Sequence, residues 1–118
     1  MSMSDQQLLD LAAKAAMRAG LKLECPDELD GVYVSRCSGR NGYTWNPLED
    51  DGDALRLAMK LGICIQFIPE CDTACAYQER STTGEPFNVH VAGLGDIETR
   101  RVIAQAAAEI GKAMQEKH

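Results

Sequence analysis

Asp50-Asp51-Gly52-Asp53-Ala54-Leu55-Arg56-Leu57-Ala58-Met59-Lys60-Leu61-Gly62-Ile63-Cys64-Ile65-Gln66-Phe67-Ile68-Pro69 carries two structural signals in one stretch of chain. Acids crowd its start, where the positive end of a helix dipole favours them, and Gly62 offers a left-handed stop after Leu61. A helix is therefore expected up to Leu61. From Ile63 the pattern changes: Ile63, Ile65 and Phe67 alternate with Cys64, Gln66 and Ile68 until Pro69 removes a backbone donor. That is a β-prone strand, expected at the centre of its sheet.

Downstream, Thr73 to Gln78 reads as a weaker strand and Ser81-Thr82-Thr83-Gly84 as a turn. Phe87, Val89 and Val91 against Asn88 and His90 give a half-buried strand. Short links between these three strands favour an antiparallel meander. Gly93-Leu94-Gly95 then loosens the chain before Asp96, a good N-cap. Ile103, Ala106, Ala107, Ile110 and Met114 form the buried stripe of a long last helix. Upstream, Val32 to about Cys37 and Tyr43-Thr44-Trp45 flank a turn over residues 38–42, and Asn46-Pro47 ends the second of them. Leu21 to Asp30, interrupted by Pro26 and rich in acids, reads as a loop. Before it, Ser4 and Gln7 fit a capping box, Leu8, Leu11, Ala12, Ala15 and Ala16 make a helical stripe, and Gly20 closes the first helix.

The order is helix, hairpin, helix, three strands, helix. It predicts a single α+β domain over residues 1–118, a layered sandwich of a mainly antiparallel sheet covered by about three helices. A chain of 118 residues with 45% hydrophobic and 25% charged side chains is long enough for one core and too short for two.

Eighteen acidic against 12 basic residues give a net charge of −6. That field repels a nucleic-acid duplex, which is therefore not an expected partner. No segment approaches the ~18 apolar residues of a membrane span, and Met1 to Asp5 lacks the basic and apolar parts of a signal peptide. No membrane association and a cytoplasmic location are expected. The five cysteines, an odd number set partly in apolar runs, read as reduced thiols. Without a closely spaced Cys-x-x-Cys pair they do not suggest zinc, and no metal or other cofactor is expected.

Trp45-Asn46-Pro47-Leu48, then Asp50-Asp51-Gly52-Asp53-Ala54-Leu55-Arg56-Leu57-Ala58, then Glu98-Thr99-Arg100-Arg101 at the head of an alanine-rich helix, occur in that order. Together they resemble the small phage and prophage proteins of the phage ABA-sandwich domain family, over about Trp45 to Met114. The resemblance implies a layered fold and assigns no activity. By analogy of context and size, it suggests a phage accessory protein that acts in counter-defence by trapping a nucleotide signal.

Three groups of residues bear on function. Arg100 and Arg101 lie in the first turn of the last helix, where guanidinium groups and free backbone amides can meet a phosphate. Tyr43 and Trp45 could stack on a base while Arg36 or Arg40 reaches its phosphate, although a lone tryptophan more often anchors a core. Cys64 or Cys75 with His90 could form a thiol–imidazole pair, but no nucleophile elbow, zinc-protease signature or dinucleotide fingerprint accompanies them. A binding protein is expected rather than an enzyme. Its leading ligand is a small phosphate-bearing molecule such as a cyclic nucleotide, held by Arg100, Arg101, Trp45, Tyr43 and Arg40 in a homo-oligomer. The alternative is an acidic protein-interaction module that inhibits or bridges a host or virion protein without a pocket.

Overall fold

The computed structural model describes residues 3–26, 31–35, 43–78 and 88–116. Helix α1 (Asp5–Arg18) opens on the expected capping box: the Gln7 backbone N–H donates to Ser4 Oγ at 3.2 Å, and the Ser4 N–H donates to Gln7 Oε1 at 2.8 Å. Gly20 follows it with φ 104°, and Leu21 N donates back to Ala16 O. Helix α2 (Asp51–Leu61) starts on Asp50, whose carboxylate accepts from Asp53 N at 2.8 Å, and stops on Gly62 at φ 67°. The long helix α3 (Asp96–Glu116) begins one residue earlier than an Asp96 cap would place it, with Gly95 O accepting from both Thr99 N and Thr99 Oγ1.

Among the described residues, six strands divide into two antiparallel sheets of three. Strands β1 (Leu23–Glu24), β2 (Tyr33–Ser35) and β3 (Tyr43–Trp45) pair in that order, with Leu23 opposite Ser35 and Tyr33 opposite Trp45. The loop reading of Leu21 to Asp30 is corrected by β1. Leu23 is buried in the core, and that burial, not local propensity, sets the pair.

The expected meander is present: β4 (Cys64–Ile68), β5 (Thr73–Tyr77) and β6 (Asn88–Ala92) pair in sequence. Its centre is β5, however, not the more strongly β-prone β4, which forms an edge. Ala74 and Ala76 of β5 are fully buried, whereas Phe67 of β4 is 48% exposed. α3 packs on β5 and β6, and only small side chains on the strand beneath it permit that approach. The turns expected over residues 38–42 and 81–84, with Arg36, Cys37, Arg40 and Phe87, lie outside the described residues.

α3 is the axis of the fold. It touches α1, α2, β5 and β6. Accordingly its burial is wider than a single stripe: Val102, Ile103, Ala104, Ala106, Ala107 and Ala108 are all buried, and the partly exposed Arg101, Gln105 and Glu109 with exposed Lys112 mark the one side that faces outward. Asp5 sits at Arg101 and Leu11 at Gly111, so α1 and α3 run in the same direction. Asp51 sits at Arg100, while Leu61 shares a cleft with Met114, so α2 runs that way too. All three helices start at one end of the molecule. None among the described residues is long and apolar enough to cross a membrane.

Candidate functional site

The expected arginines do share a cleft. Arg100 and Arg101 fall in the second turn of α3 and not, as expected, in its first, because the helix already starts at Asp96; they face the start of α1 and the loop before α2 across a space of about 360 Å3. Leu9, Leu48 and Ile97 give it apolar walls, and Asp5, Asn46 and Glu49 lie on its rim. Both guanidinium groups are already engaged. Arg100 donates through Nε to the Leu48 carbonyl at 3.0 Å and through Nη1 to Asp51 Oδ1 at 2.6 Å. Arg101 donates through Nη2 to Asp5 Oδ1 at 2.8 Å.

Their partners are therefore the first residues of α2 and α1, not Asp96 or Glu98 of their own helix. Glu98 folds back over the Gly93–Gly95 loop instead, so close that a Cβ on either glycine would meet it. Asp5 and Asp51 are mostly exposed, at 68% and 76% of the side chain. These are surface ion pairs that tie three helix starts together, each contributing about 0–1 kcal/mol.

The aromatic residues do not join this cleft. Trp45 is 2% exposed and meets Tyr33 edge-on, with ring centroids 6.1 Å apart and planes at 81°. Its ring is enclosed by the core and offers no face to a base. Tyr43 belongs to a second polar group built around Asp53, and Arg40 lies outside the described residues.

Asp53 is the residue that pattern reading passed over. It lies in the acidic run, but its side chain is 1% exposed. Its Oδ2 accepts from Asn46 N at 3.0 Å, and its Oδ1 accepts from Arg56 Nη2 at 2.9 Å and from Tyr43 Oη at 3.3 Å. Arg56 Nη2 also donates to Tyr43 Oη at 3.0 Å. The hydrogen bond that Arg56 donates to Asp53, aided by the charges of Tyr43, Asp53 and Asp50 and opposed by burial, holds the Arg56 guanidinium above its usual pKa. Asn46 Oδ1 accepts from Leu48 N, which shapes the turn through Pro47 that delivers the chain to α2. The only sequence trace of this arrangement is the spacing of Tyr43, Asn46, Asp53 and Arg56.

Tyr33 forms a further buried polar contact, donating from Oη to Asp10 Oδ1 at 2.8 Å. Burial first, then that bond, raises the phenol above its ordinary pKa. An unfolded chain would ionise this group near pH ~10. Below that pH its stabilising effect is complete; above it, stability falls as pH rises through the folded value. The melting midpoint should drop as the pH rises above about 10, and drop less in Tyr33→Phe. Parallel curves for the two proteins would show that the Tyr33–Asp10 contact does not set this dependence.

Cys75 and His90, one of the two thiol–imidazole combinations open to the sequence, are register partners on β5 and β6. Cys75 is buried and His90 exposed, and the nearest polar partner of the sulfur is Gln66 Oε1 at 3.9 Å. Cys25, Cys64, Cys71 and Cys75 are all free thiols, and among the described residues no group of His, Cys, Asp and Glu is arranged to hold a metal ion.

The described residues thus define a small α+β protein with a polar cleft at one end and no assembled catalytic group. No family model, no curated protein and no solved structure matches the chain. The likeness to the phage ABA-sandwich family rests on the quoted motifs alone.

Proposed function

We propose that this protein acts by binding, and that its working surface is the acidic end where the three helices start. The observation that carries the reading is the state of the arginines: Asp51 and Asp5 already neutralise Arg100 and Arg101. Exposed Glu49, Asp50 and Asp96 add further negative charge around the same cleft. A phosphate entering there has to displace two carboxylates and meets more of them. A basic protein surface meets complementary charge, with exposed Ile97 and Leu94 for apolar contact. In a phage-type accessory protein such a surface blocks or bridges a host or virion partner.

A second reading, capture of a small phosphate-bearing ligand such as a cyclic nucleotide, is favoured by one feature. Arg100 and Arg101 converge on a single cleft, and their ion-pair partners Asp51 and Asp5 are exposed side chains that can swing into water. One panel of melting curves separates the readings, because a ligand that binds only the folded state raises the melting temperature by mass action. On the interaction reading no nucleotide or cyclic dinucleotide shifts the wild-type curve, and Arg100→Ala/Arg101→Ala changes stability by only about 0–2 kcal/mol for two surface pairs. A nucleotide that shifts the wild type and not the double variant puts phosphate capture first.

A further inference from the structure

Parallel helices make the molecule electrically polar. Each helix carries acids in its first turn, and α1 and α2 end in a base, Arg18 and Lys60, whereas the last turn of α3 has none. Because α1, α2 and α3 run the same way, those local preferences add up over the whole protein. Asp5, Glu49, Asp50, Asp51 and Asp96 are exposed at one end. Exposed Lys14 and Arg18 of α1 and Lys60 of α2 lie toward the other.

A cleft of about 310 Å3 opens at that basic end. Leu61, Ile110 and Met114 give it apolar walls, and Arg18 and Lys60 stand beside them. Past Arg18 and Met114 a second, shallower groove continues along α1 beside Lys14 and the 44% exposed Met17. The hydrogen bonds and ion pairs among the described residues involve none of Lys14, Arg18 or Lys60 side chains. At the acidic end the matching feature is apolar: Leu94 is 37% exposed and Ile97, next to Asp96, is 63% exposed.

We propose that the acidic end of one copy, with Ile97 and Leu94 as its apolar insert, docks into the Arg18–Lys60 cleft of a second copy, so that the chain assembles head to tail. Charge complementarity between the two ends selects a second copy as the occupant. A net charge of −6 makes two copies repel on average, but beyond about 8 Å that repulsion is screened at physiological salt, and contact pairs decide. Donor and acceptor surfaces lie at opposite ends, so the contact is heterologous. It leads to a ring or an open chain and cannot close as a two-fold dimer. The inference rests on the acidic end being an interaction surface and adds the partner.

Sedimentation velocity on the full chain, over a concentration series at low and high salt, tests it. The average mass should rise with concentration at low salt and fall when salt is added. Arg18→Glu/Lys60→Glu, which spoils the cleft, and Asp96→Lys/Ile97→Lys, which spoils the insert, should each be monomeric with a wild-type far-ultraviolet spectrum. Mixed together, they retain one good cleft and one good insert between them, so they should form a one-to-one pair that grows no further. A wild type that is monomeric throughout overturns the proposal, as does assembly indifferent to the charge reversals, assembly strengthened by salt, or a mixture that stays monomeric. Should the wild type be monomeric while Asp96→Lys/Ile97→Lys alone loses a purified host partner, the acidic-end reading survives and self-docking does not.

Discussion

Gly111→Ala should destabilise the protein by about 3 kcal/mol, although the same change at an exposed helix position stabilises by up to about 1 kcal/mol. At Gly111 of α3 an added Cβ would overlap the Leu11 carbonyl oxygen of α1. That oxygen is backbone and cannot rotate aside, so the two helices must separate. Ala12 and Ala15 of α1 and Ala104 and Ala108 of α3 are all 0–1% exposed, so the packing around them leaves no slack to absorb the shift. For a chain of this size the loss corresponds to a melting temperature lower by about 10 °C. An unchanged or raised melting temperature in Gly111→Ala would show that α1 and α3 are not packed this closely.

Asp53→Ala should cost a similar amount, about 3 kcal/mol, through lost hydrogen bonds and not through lost packing. The carboxylate is the shared acceptor for Asn46 N, Arg56 Nη2 and Tyr43 Oη, and removing it strands a partly buried backbone donor. The value stays at the low end for a buried ion pair because Arg56 is 42% exposed and can return to water. Asp53→Asn should fall in between, since it keeps the shape and part of the acceptor capacity. Arg56→Ala should cost least, about 1 kcal/mol, because Asp53 retains its other donors. Urea melts of the three variants check the order. Equal losses in Asp53→Ala and Arg56→Ala would mean that the ion pair, not the hub, is the stabilising unit.

Much of the architecture is written in local pattern. The capping box of Ser4 and Gln7, the stops at Gly20 and Gly62, and the alternation of Val89 and Val91 with Asn88, His90 and Ala92 each encode a boundary within a few residues. These signals are legible because they act over a single turn or a single pleat, where one side chain answers to one neighbouring backbone group. Function is less legible. Arg100 and Arg101 can be picked out as two guanidinium groups at a helix start, yet their partners Asp51 and Asp5 lie 49 and 96 residues away. No local rule distinguishes a free arginine from one that is already paired.

The sequence by itself determined the class of the domain, the number and order of its main elements, the antiparallel meander and the acidic character of the helix starts, because propensity, caps and hydrophobic period are properties of short segments. Only the tertiary structure decided that β5 is the middle strand, that α3 is buried over most of its circumference and that Trp45 faces inward. It also decided that Asp53, one acid among several in its run, is the buried one. Those outcomes depend on which surfaces meet. A strand of small residues goes under a helix because the helix needs room there, and a carboxylate goes inside because three donors from separate parts of the chain converge on it. The common direction of the three helices is of the same kind: each dipole is set locally, but their sum, and the charge separation it gives the molecule, exists only once the helices are packed side by side.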